Sequence, residues 1–544
     1  MSRTTPPEAE SPVLEPTVTS DAKRSMYVPK ELRTGPSIED RSFIGHPGGL
    51  PWMLQVEMWE RFSWFGMRAI LLYFLTDTLA NDGLGLATTT TGQVVVSAYG
   101  AAVLLMTIPG GIFADRILGP WISTLIGGSI IMAGHVILAL PAVVTSWTGL
   151  ILIAVGTGFI KPNLATVVGG LYDKDDPRRD QGFQYFYMSV NVGSLVAPLL
   201  TGVLADKYGY HIAFIAAAIG MALALFSFVY GRKKLGEFAY TIPNPLKKGE
   251  GARLALLGLG IVALAATLIG IFRFVVFAGE SADKAWINGI AWSLFLFALI
   301  TAAGYFLTMV RSHKVTAQER SHLAAFGPLW IGNVLFVLIF EQAAGKMATF
   351  AAENTDRSVF GLFELSASHY QSFNPLFVLI LAPIIGALFA RRIGKWPNTA
   401  TKFAISLVII AFSAAMMGFG FTTWTGTAGS AWAPFWYLAA VFFVQTIAEL
   451  FLNPVGLSVT TKLAPRHFAS QTMTLWYLAP AVGMGLTSVV INLTKDLGDG
   501  PYYYGLGAVT VVVAVIMFVL APWIQSKMDN VERAEQRGAA ELAE

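Results

Sequence analysis

Long apolar segments separated by short polar connections dominate the chain from about residue 50 to residue 525. A helix needs about 20 mostly apolar residues to cross a bilayer, and the pattern predicts about fourteen such helices. The predicted spans are 52–79, 92–114, 119–141, 147–168, 184–205, 211–230, 253–277, 287–310, 323–350, 370–392, 398–421, 434–460, 468–494 and 502–525. The sequence therefore predicts an all-α integral membrane protein.

Composition agrees with this reading. Of the 544 residues 54% are hydrophobic and only 13% are charged, whereas soluble domains carry roughly 25% charged residues. The absence of cysteine excludes disulfides and thiolate metal sites. A net charge of +3 gives no indication of a nucleic-acid partner.

Lys and Arg are concentrated in alternate connections between the predicted spans, beginning with the one that contains Arg116. Because basic loops stay on the cytoplasmic side, both termini are expected in the cytoplasm and the protein in the cell membrane. Residues 1–46 are rich in Pro, Ser, Thr and Glu, and we expect a disordered tail. A second cytoplasmic tail is expected over residues 526–544.

Two short repeats divide the spans into halves. "GGIFADRILG" (110–119) follows the second span and "GALFARRIG" (386–394) the tenth, while "FIKP" (159–162) is echoed by "FLNP" (451–454). Chance similarity of short apolar strings is the alternative. The repeats predict six-helix bundles over 47–232 and 319–525, with a linker and an inserted two-helix hairpin over 233–318. Parallel halves of this kind place a substrate site near the membrane midplane between them.

Four charged residues lie in the first predicted span. With 100° between successive helical residues, Glu57, Glu60, Arg61 and Arg68 share one stripe about 100° wide. A charge in the membrane is costly unless it is paired or hydrated, so the stripe should face the bundle interior or a water-filled cavity. The alternative is an interfacial cluster in which Glu57 and Arg61 simply pair one turn apart.

Other polar residues are isolated within later spans. They are the charged Lys161, Glu341 and Glu449 and the amides Asn191 and Asn374. Charges of both signs from both halves favour a transport pathway or a conformational switch, and a structural pair that fixes helix packing is the alternative.

Two further pairs are candidates for other roles. Asp115 and Arg116 stand at the end of the second span, where charges can lock helix ends together, and we interpret them as conformational. Tyr99 and Trp476 lie within spans and either line a cavity or pack against neighbouring helices.

Motifs of soluble enzymes do not occur. The sequence has no phosphate-binding glycine loop followed by Lys and Ser or Thr, no His-Glu-x-x-His and no nucleophile elbow. We therefore expect neither an ATP-driven pump nor an enzyme, and no cofactor or metal.

Several motifs resemble those of a known family. "ADRILG" (114–119) is similar to the signature loop of the major facilitator superfamily, and "EMWERF" (57–62) to the E-x-x-E-R-F motif of proton-dependent oligopeptide transporters. "GTGFIKPNLATVVGGLY" (156–172) and "FQYFYMSVNVGSLVAPLLTG" (183–202) resemble that family's fourth-helix and fifth-helix signatures. The resemblance runs from about 45 to 525 and implies the major facilitator fold, with two six-helix bundles and an inserted helix pair.

The resemblance also implies roles for the charged residues. Glu57, Glu60, Arg61 and Lys161 would serve proton coupling, with Arg61 and Lys161 near the carboxylate of a bound peptide. Glu449 would receive the peptide amino terminus and pair with Lys161 in an inner gate.

For the remaining candidates the resemblance implies binding and gating roles. Asn191 and Asn374 would hold the peptide backbone or amino terminus, and Tyr99 and Trp476 would line the pocket. Arg68 and Glu341 would form an outer-gate salt bridge.

In one respect the chain departs from the family pattern. The family motif usually continues with a tyrosine pair, where this chain has Trp64 and Phe65. The change removes two hydroxyls, one of them on the charged stripe, and it bears on how Arg61 is held and on which substrate side chains fit.

The function we expect is proton-coupled symport of di- and tripeptides into the cell by a monomer, with protons as the coupling ion. Alternatives are transport of another small solute, such as nitrate or a peptide-like drug, on the same scaffold, or a membrane sensor that does not transport.

Overall fold

The computed structural model describes residues 40–173, 176–390, 397–426 and 431–543, and the first 39 residues of the predicted tail lie outside this part of the chain. Nearly all of the described chain is helical. The α-helices are α1 (Leu50–Thr76), α2 (Thr89–Phe113), α3 (Pro120–Leu138), α4 (Val143–Gly169), α5 (Arg179–Tyr208), α6 (Tyr210–Gly231), α7 (Glu250–Ile271), α8 (Ala282–Arg311), α9 (Ala317–Phe340), α10 (Lys346–Glu353), α11 (Phe373–Ala390), α12 (Thr399–Thr423), α13 (Phe435–Leu463), α14 (Ala469–Leu493) and α15 (Asp499–Ala543).

Short elements connect these helices. Two π-helical turns, Ala114–Leu118 and Phe272–Val276, extend α2 and α7. Single 3₁₀ segments cover Leu79–Asn81, Arg232–Lys234, Glu237–Tyr240, Glu341–Ala344, Ala367–Ser372 and Arg466–Phe468. Within the residues that the structure describes, four two-residue strands form two small ladders. β1 (Thr355–Asp356) pairs in parallel with β4 (Ala433–Pro434), and β2 (Ser358–Val359) pairs antiparallel with β3 (Phe363–Glu364).

The predicted number of spans is confirmed. Within the described residues, thirteen helices are long and apolar enough to cross a membrane. The fourteenth is α1, which has 27 residues and carries the charged stripe. Several helices are longer than predicted. For example, α5 begins at Arg179 and α9 at Ala317, and α15 continues to Ala543.

The predicted span 323–350 is broken. α9 ends at Phe340, a 3₁₀ turn follows over Glu341–Ala344, and a second helix begins at Lys346. Gly345 sits at the junction, and glycine is among the poorest helix formers. The prediction of a continuous helix was wrong at this point, because apolar periodicity does not show where backbone hydrogen bonds change partners.

Buried hydrophobic side chains form two clusters. One is built mainly from α1, α3, α4 and α6, and the other from α9, α12, α13, α14 and α15. Four side chains of α2 (Val94, Ala98, Ala101 and Leu105) belong to the second cluster, since α2 packs against α14. This arrangement agrees with the predicted major facilitator fold, while the domain limits 47–232, 233–318 and 319–525 stay predictions.

The two helices predicted as an insertion pack on one side of the protein. α8 contacts α2 and α14, whereas α7 packs against α8 and the adjoining turn Phe272–Val276. Leu268 is the one buried residue of α7. The Asn492 amide on α14 donates to the Asn288 side-chain oxygen on α8 over 2.9 Å, which is a polar contact between the pair and the main body.

Candidate substrate and proton site

The stripe on α1 forms a compact charge cluster. Arg61 Nε donates to Glu57 Oε1 over 2.7 Å and lies 2.9 Å from Glu60 Oε2. The second contact is an ion pair without an aligned hydrogen bond. Glu57 and Glu60 are only 3% and 2% exposed. One guanidinium group is therefore shared by two buried carboxylates, which is more than the simple pair of the interfacial alternative.

Lys161 brings a second cation towards this cluster from α4. It lies within electrostatic range of Glu60, Glu57 and Glu341. Its side chain is not covered by neighbouring side chains, although it belongs to a spanning helix. The four charges thus occupy one environment, and a change of protonation at either carboxylate alters the field at Lys161.

Glu449 on α13 is held by amides. The Asn374 and Asn453 side chains donate to its two carboxylate oxygens over 2.9 and 3.2 Å. Asn374 also donates to Thr446 Oγ1 over 3.1 Å. In the described part of the chain no ion pair joins Glu449 to Lys161.

Asn191 and Tyr187 lie one turn apart on α5. The Asn191 amide donates to the Tyr187 carbonyl over 2.9 Å, one turn earlier in the same helix. The Tyr187 side chain is 44% exposed and within electrostatic range of Glu449. Sequence reasoning missed Tyr187; its spacing of four residues from Asn191 was the available signal, because such residues share a helix face.

Arg68 and Glu341 form an ion pair between α1 and the 3₁₀ turn after α9. Nearby, Tyr73 Oη donates to the Ala348 carbonyl over 3.0 Å and the Gln93 amide to Thr349 Oγ1 over 2.8 Å. We call the helices α1–α6 and the helices α9–α15 the two helix sets. These contacts join the two helix sets at the end of the protein that carries residues 77–88. The two sets are closed against each other there.

A second ion pair supports the broken helix. Lys346, at the start of α10, pairs with Asp499 at the start of α15 and lies 4.7 Å from the centre of the Tyr502 ring. Gln342 donates to Tyr502 Oη over 2.6 Å. The turn that carries Glu341 is thus fastened to α15. Asp499 was not identified from sequence, since nothing local distinguishes this acid from the exposed residues just before it.

The two aromatic candidates lie in different surroundings. The Tyr99 ring stacks on Trp64 with a centroid separation of 5.9 Å, so the tryptophan that departs from the family motif has a packing partner. Trp476 is 5% exposed and packs against Phe326 and Phe403. In this conformation the Trp476 ring is part of the helix packing, and its predicted place in a pocket stays a prediction.

Asp115 and Arg116 lie in the π-helical turn after α2. The Arg116 side chain pairs with Glu250 at the start of α7, and the Asp115 carbonyl accepts a hydrogen bond from the Asn244 backbone over 2.9 Å. The loop therefore contacts the inserted helices. Among the described residues no group of three His, Asp or Glu side chains could hold a metal ion.

Comparison with known proteins places this arrangement in a family. The sequence profile of the POT family matches residues 123–502. The chain is 40% identical to an uncharacterized transporter of Bacillus subtilis, YclF, over 91% of its length and 98% of the relative. It is 38% identical to a di-/tripeptide transporter of Lactococcus lactis, covering 90% of this chain and 98% of that protein.

Solved structures agree with the sequence relatives. A crystal structure of the peptide transporter POT in complex with sulfate matches with a TM-score of 0.82 and 35% identity, covering 91% of this chain and 98% of that one. A POT family transporter in complex with 5-aminolevulinic acid matches with a TM-score of 0.82 and 34% identity, covering 91% and 100%. The chain belongs to the POT family of membrane transporters.

Proposed function

We propose that this protein is a proton-coupled symporter that carries di- and tripeptides into the cell. One observation carries the proposal: Arg61 and Lys161 lie on one helix set and Glu449 on the other, and Glu341 is within electrostatic range of both Lys161 and Glu449. A peptide with free termini has a carboxylate and an ammonium group at its ends, and this polarity matches both. The names of the Lactococcus relative and of the matching crystal structures support the peptide as substrate.

The contacts suggest which state of the transport cycle the structure represents. The two helix sets are joined at the 77–88 end by Arg68 and Glu341, while Lys161 and Glu449 are unpaired with each other. We assign the 77–88 end to the outside of the cell and this state to an inward-facing conformation. A Lys161–Glu449 pair would form when the inner end closes.

Proton coupling follows from competition for the same cations. Arg61 is shared by Glu57 and Glu60, so a peptide carboxylate that binds Arg61 competes with both. Protonation of Glu60 or Glu57 releases Arg61 and Lys161 for the substrate. Substrate and proton therefore stabilise the same rearrangement, which is the condition for alternating access driven by two ligands.

The driving force is sufficient for accumulation. One positive charge that crosses 100 mV gains about 2.3 kcal/mol, and about 1.4 kcal/mol corresponds to tenfold accumulation. One proton per peptide thus supports roughly 50-fold concentration before any pH gradient is counted.

The proposal also covers the location and the oligomeric state of the protein. We place the protein in the cell membrane as a monomer, with both termini cytoplasmic, no enzymatic activity and no cofactor beyond the coupling proton. Nitrate remains the less favoured substrate, because an inorganic anion has no group that would bind Glu449.

Uptake of dialanine into proteoliposomes tests the proposal. An inward pH gradient should drive accumulation by the wild type. Glu60→Gln should abolish this concentrative uptake but retain counterflow, because exchange needs substrate binding without net proton movement. Folded wild-type protein that takes up no dialanine would contradict the peptide assignment, and equal losses of uptake and counterflow in Glu60→Gln would contradict its role in coupling.

A further inference from the structure

A groove of about 640 Å³ lies between α8 and the helices α2 and α4. α2 packs against both α4 and α8 and forms the floor. The walls are almost entirely apolar, with Ala98 and Ala102 on α2, Leu150 and Ile151 on α4, and Ile290 and Leu294 on α8. Volumes of 300–1,000 Å³ are typical of ligand sites, and these walls offer an acyl chain a matching surface.

The rim of the groove is charged on one side. Asp283 and Lys284, in the first turn of α8, line it together with Trp286, and all three are exposed. Tryptophan is enriched at the level of lipid headgroups. A carboxylate and an ammonium group side by side complement a zwitterionic headgroup, in which a phosphate and an ammonium group are similarly adjacent. An anionic lipid such as phosphatidylglycerol has the phosphate but no ammonium group, so Asp283 would be left without a partner of opposite charge on the lipid.

We propose that the groove is a binding site for phosphatidylethanolamine, with an acyl chain between α4 and α8, the phosphate at Lys284 and the ammonium group at Asp283. Water does not fill such a site, because a buried water needs several polar partners. If the groove were empty, the apolar atoms that line it would lack van der Waals contacts on that side. The lipid joins the inserted helix pair to the first six helices.

The groove also borders the substrate region. Tyr99 lines it and stacks on Trp64, which lies three residues after Arg61 on the charged stripe. A bound acyl chain therefore supports the Tyr99 ring from the side of α8. Trp64 and Tyr99 thus connect the lipid site to the peptide site.

A second groove provides the internal control. It has a volume of about 350 Å³ between α3 and α6, and its lining, which includes Val136 and Ala222, contains no charged residue. Its lining therefore provides no charged side chain that could bind a lipid headgroup. Substitutions of equal size in the two grooves therefore separate a specific lipid site from a general effect of filling apolar surface.

Native mass spectrometry of the purified full-length protein tests the proposal, with phosphatidylethanolamine or phosphatidylglycerol added to detergent. The wild type should retain one phosphatidylethanolamine and bind it at least tenfold more tightly than phosphatidylglycerol. Lys284→Gln should weaken this binding about tenfold. Asp283→Asn should shift the preference towards phosphatidylglycerol, since the remaining charge at the rim is positive. Ala102→Phe should abolish retention, and Ala222→Phe should leave it unchanged.

Each readout measures lipid retention and is independent of transport. The two rim substitutions concern exposed side chains, so they keep the test decisive if Ala102→Phe fails to fold. Equal retention of both lipids by the wild type, displacement of lipid by detergent alone, or equal losses in Ala102→Phe and Ala222→Phe would each overturn the proposal.

Discussion

Removing the Arg68–Glu341 pair should open the 77–88 end of the protein. The pair exists only while the two helix sets are closed there, and the two side chains are 14% and 19% exposed. Loss of one partner of a buried pair costs about 3–5 kcal/mol, and of a surface pair about 0–1 kcal/mol. For this partly exposed pair we take about 2 kcal/mol, which corresponds to a shift of about 30-fold in the conformational equilibrium.

A single introduced thiol can report this shift, because the chain contains no cysteine. Ala348 is 3% exposed, and its carbonyl accepts the hydrogen bond from Tyr73 across the closed interface. In an Ala348→Cys background, a membrane-impermeant maleimide should react slowly. Glu341→Gln should accelerate the reaction about 30-fold, because the thiol becomes accessible only when this end opens.

A double-mutant cycle identifies the pair as the cause. Arg68→Gln should give an acceleration similar to that of Glu341→Gln, and the double variant should show little more than either single variant, since the same interaction has been lost. Unchanged labelling in the single variants would refute the reasoning. So would accelerations that multiply in the double variant, because the two residues would then act independently.

Three further predictions concern other parts of the molecule. Asp499→Asn should lower the free energy of unfolding by about 1 kcal/mol in a thermal or denaturant assay, because Lys346 loses an ion pair whose Asp499 side chain is 34% exposed. Glu449→Gln should raise the KM for dialanine at least tenfold but leave the inhibition constant of N-acetylated dialanine unchanged, since the blocked peptide has no ammonium group. Hydrogen bonding from Arg178 lowers the pKa of Asp176. The contact between the two side chains should therefore slow backbone hydrogen exchange around Asp176 at neutral pH. This protection should be lost as the pH falls through the lowered pKa of Asp176.

Each of these has a matched control. Asp496→Asn, which changes an exposed acid three residues before Asp499, should leave the free energy of unfolding unchanged. Equal loss of affinity for free and acetylated dialanine in Glu449→Gln would contradict an amino-terminal role. Asp176→Asn should show no acid-dependent step in exchange of its loop, and a step that persists would assign it to another group.

Helix positions could be predicted from the sequence because each spanning helix is a run of about 20 mostly apolar residues. The charged stripe could be predicted because successive residues of a helix are 100° apart. The break at Glu341 could not be predicted, since it depends on Gln342 and Lys346 finding partners on α15. The positions of Asp499, which pairs with Lys346, and of Tyr187, near Glu449, could not be predicted either. Their positions follow from which helices meet in three dimensions, and apolar periodicity does not contain that information.

The sharing of Arg61 by two carboxylates has a consequence for the charge balance of the proposed symport. With Glu57, Glu60, Arg61 and Lys161 all ionised, this side of the site is electrically neutral before a substrate arrives. A peptide carboxylate adds one negative charge in a membrane interior, where an unbalanced charge is costly. Uptake of one proton restores neutrality. In the proposed symport, electroneutrality would thus make the substrate carboxylate itself raise the proton affinity of the site, and a peptide whose C-terminus is amidated should bind without demanding that proton.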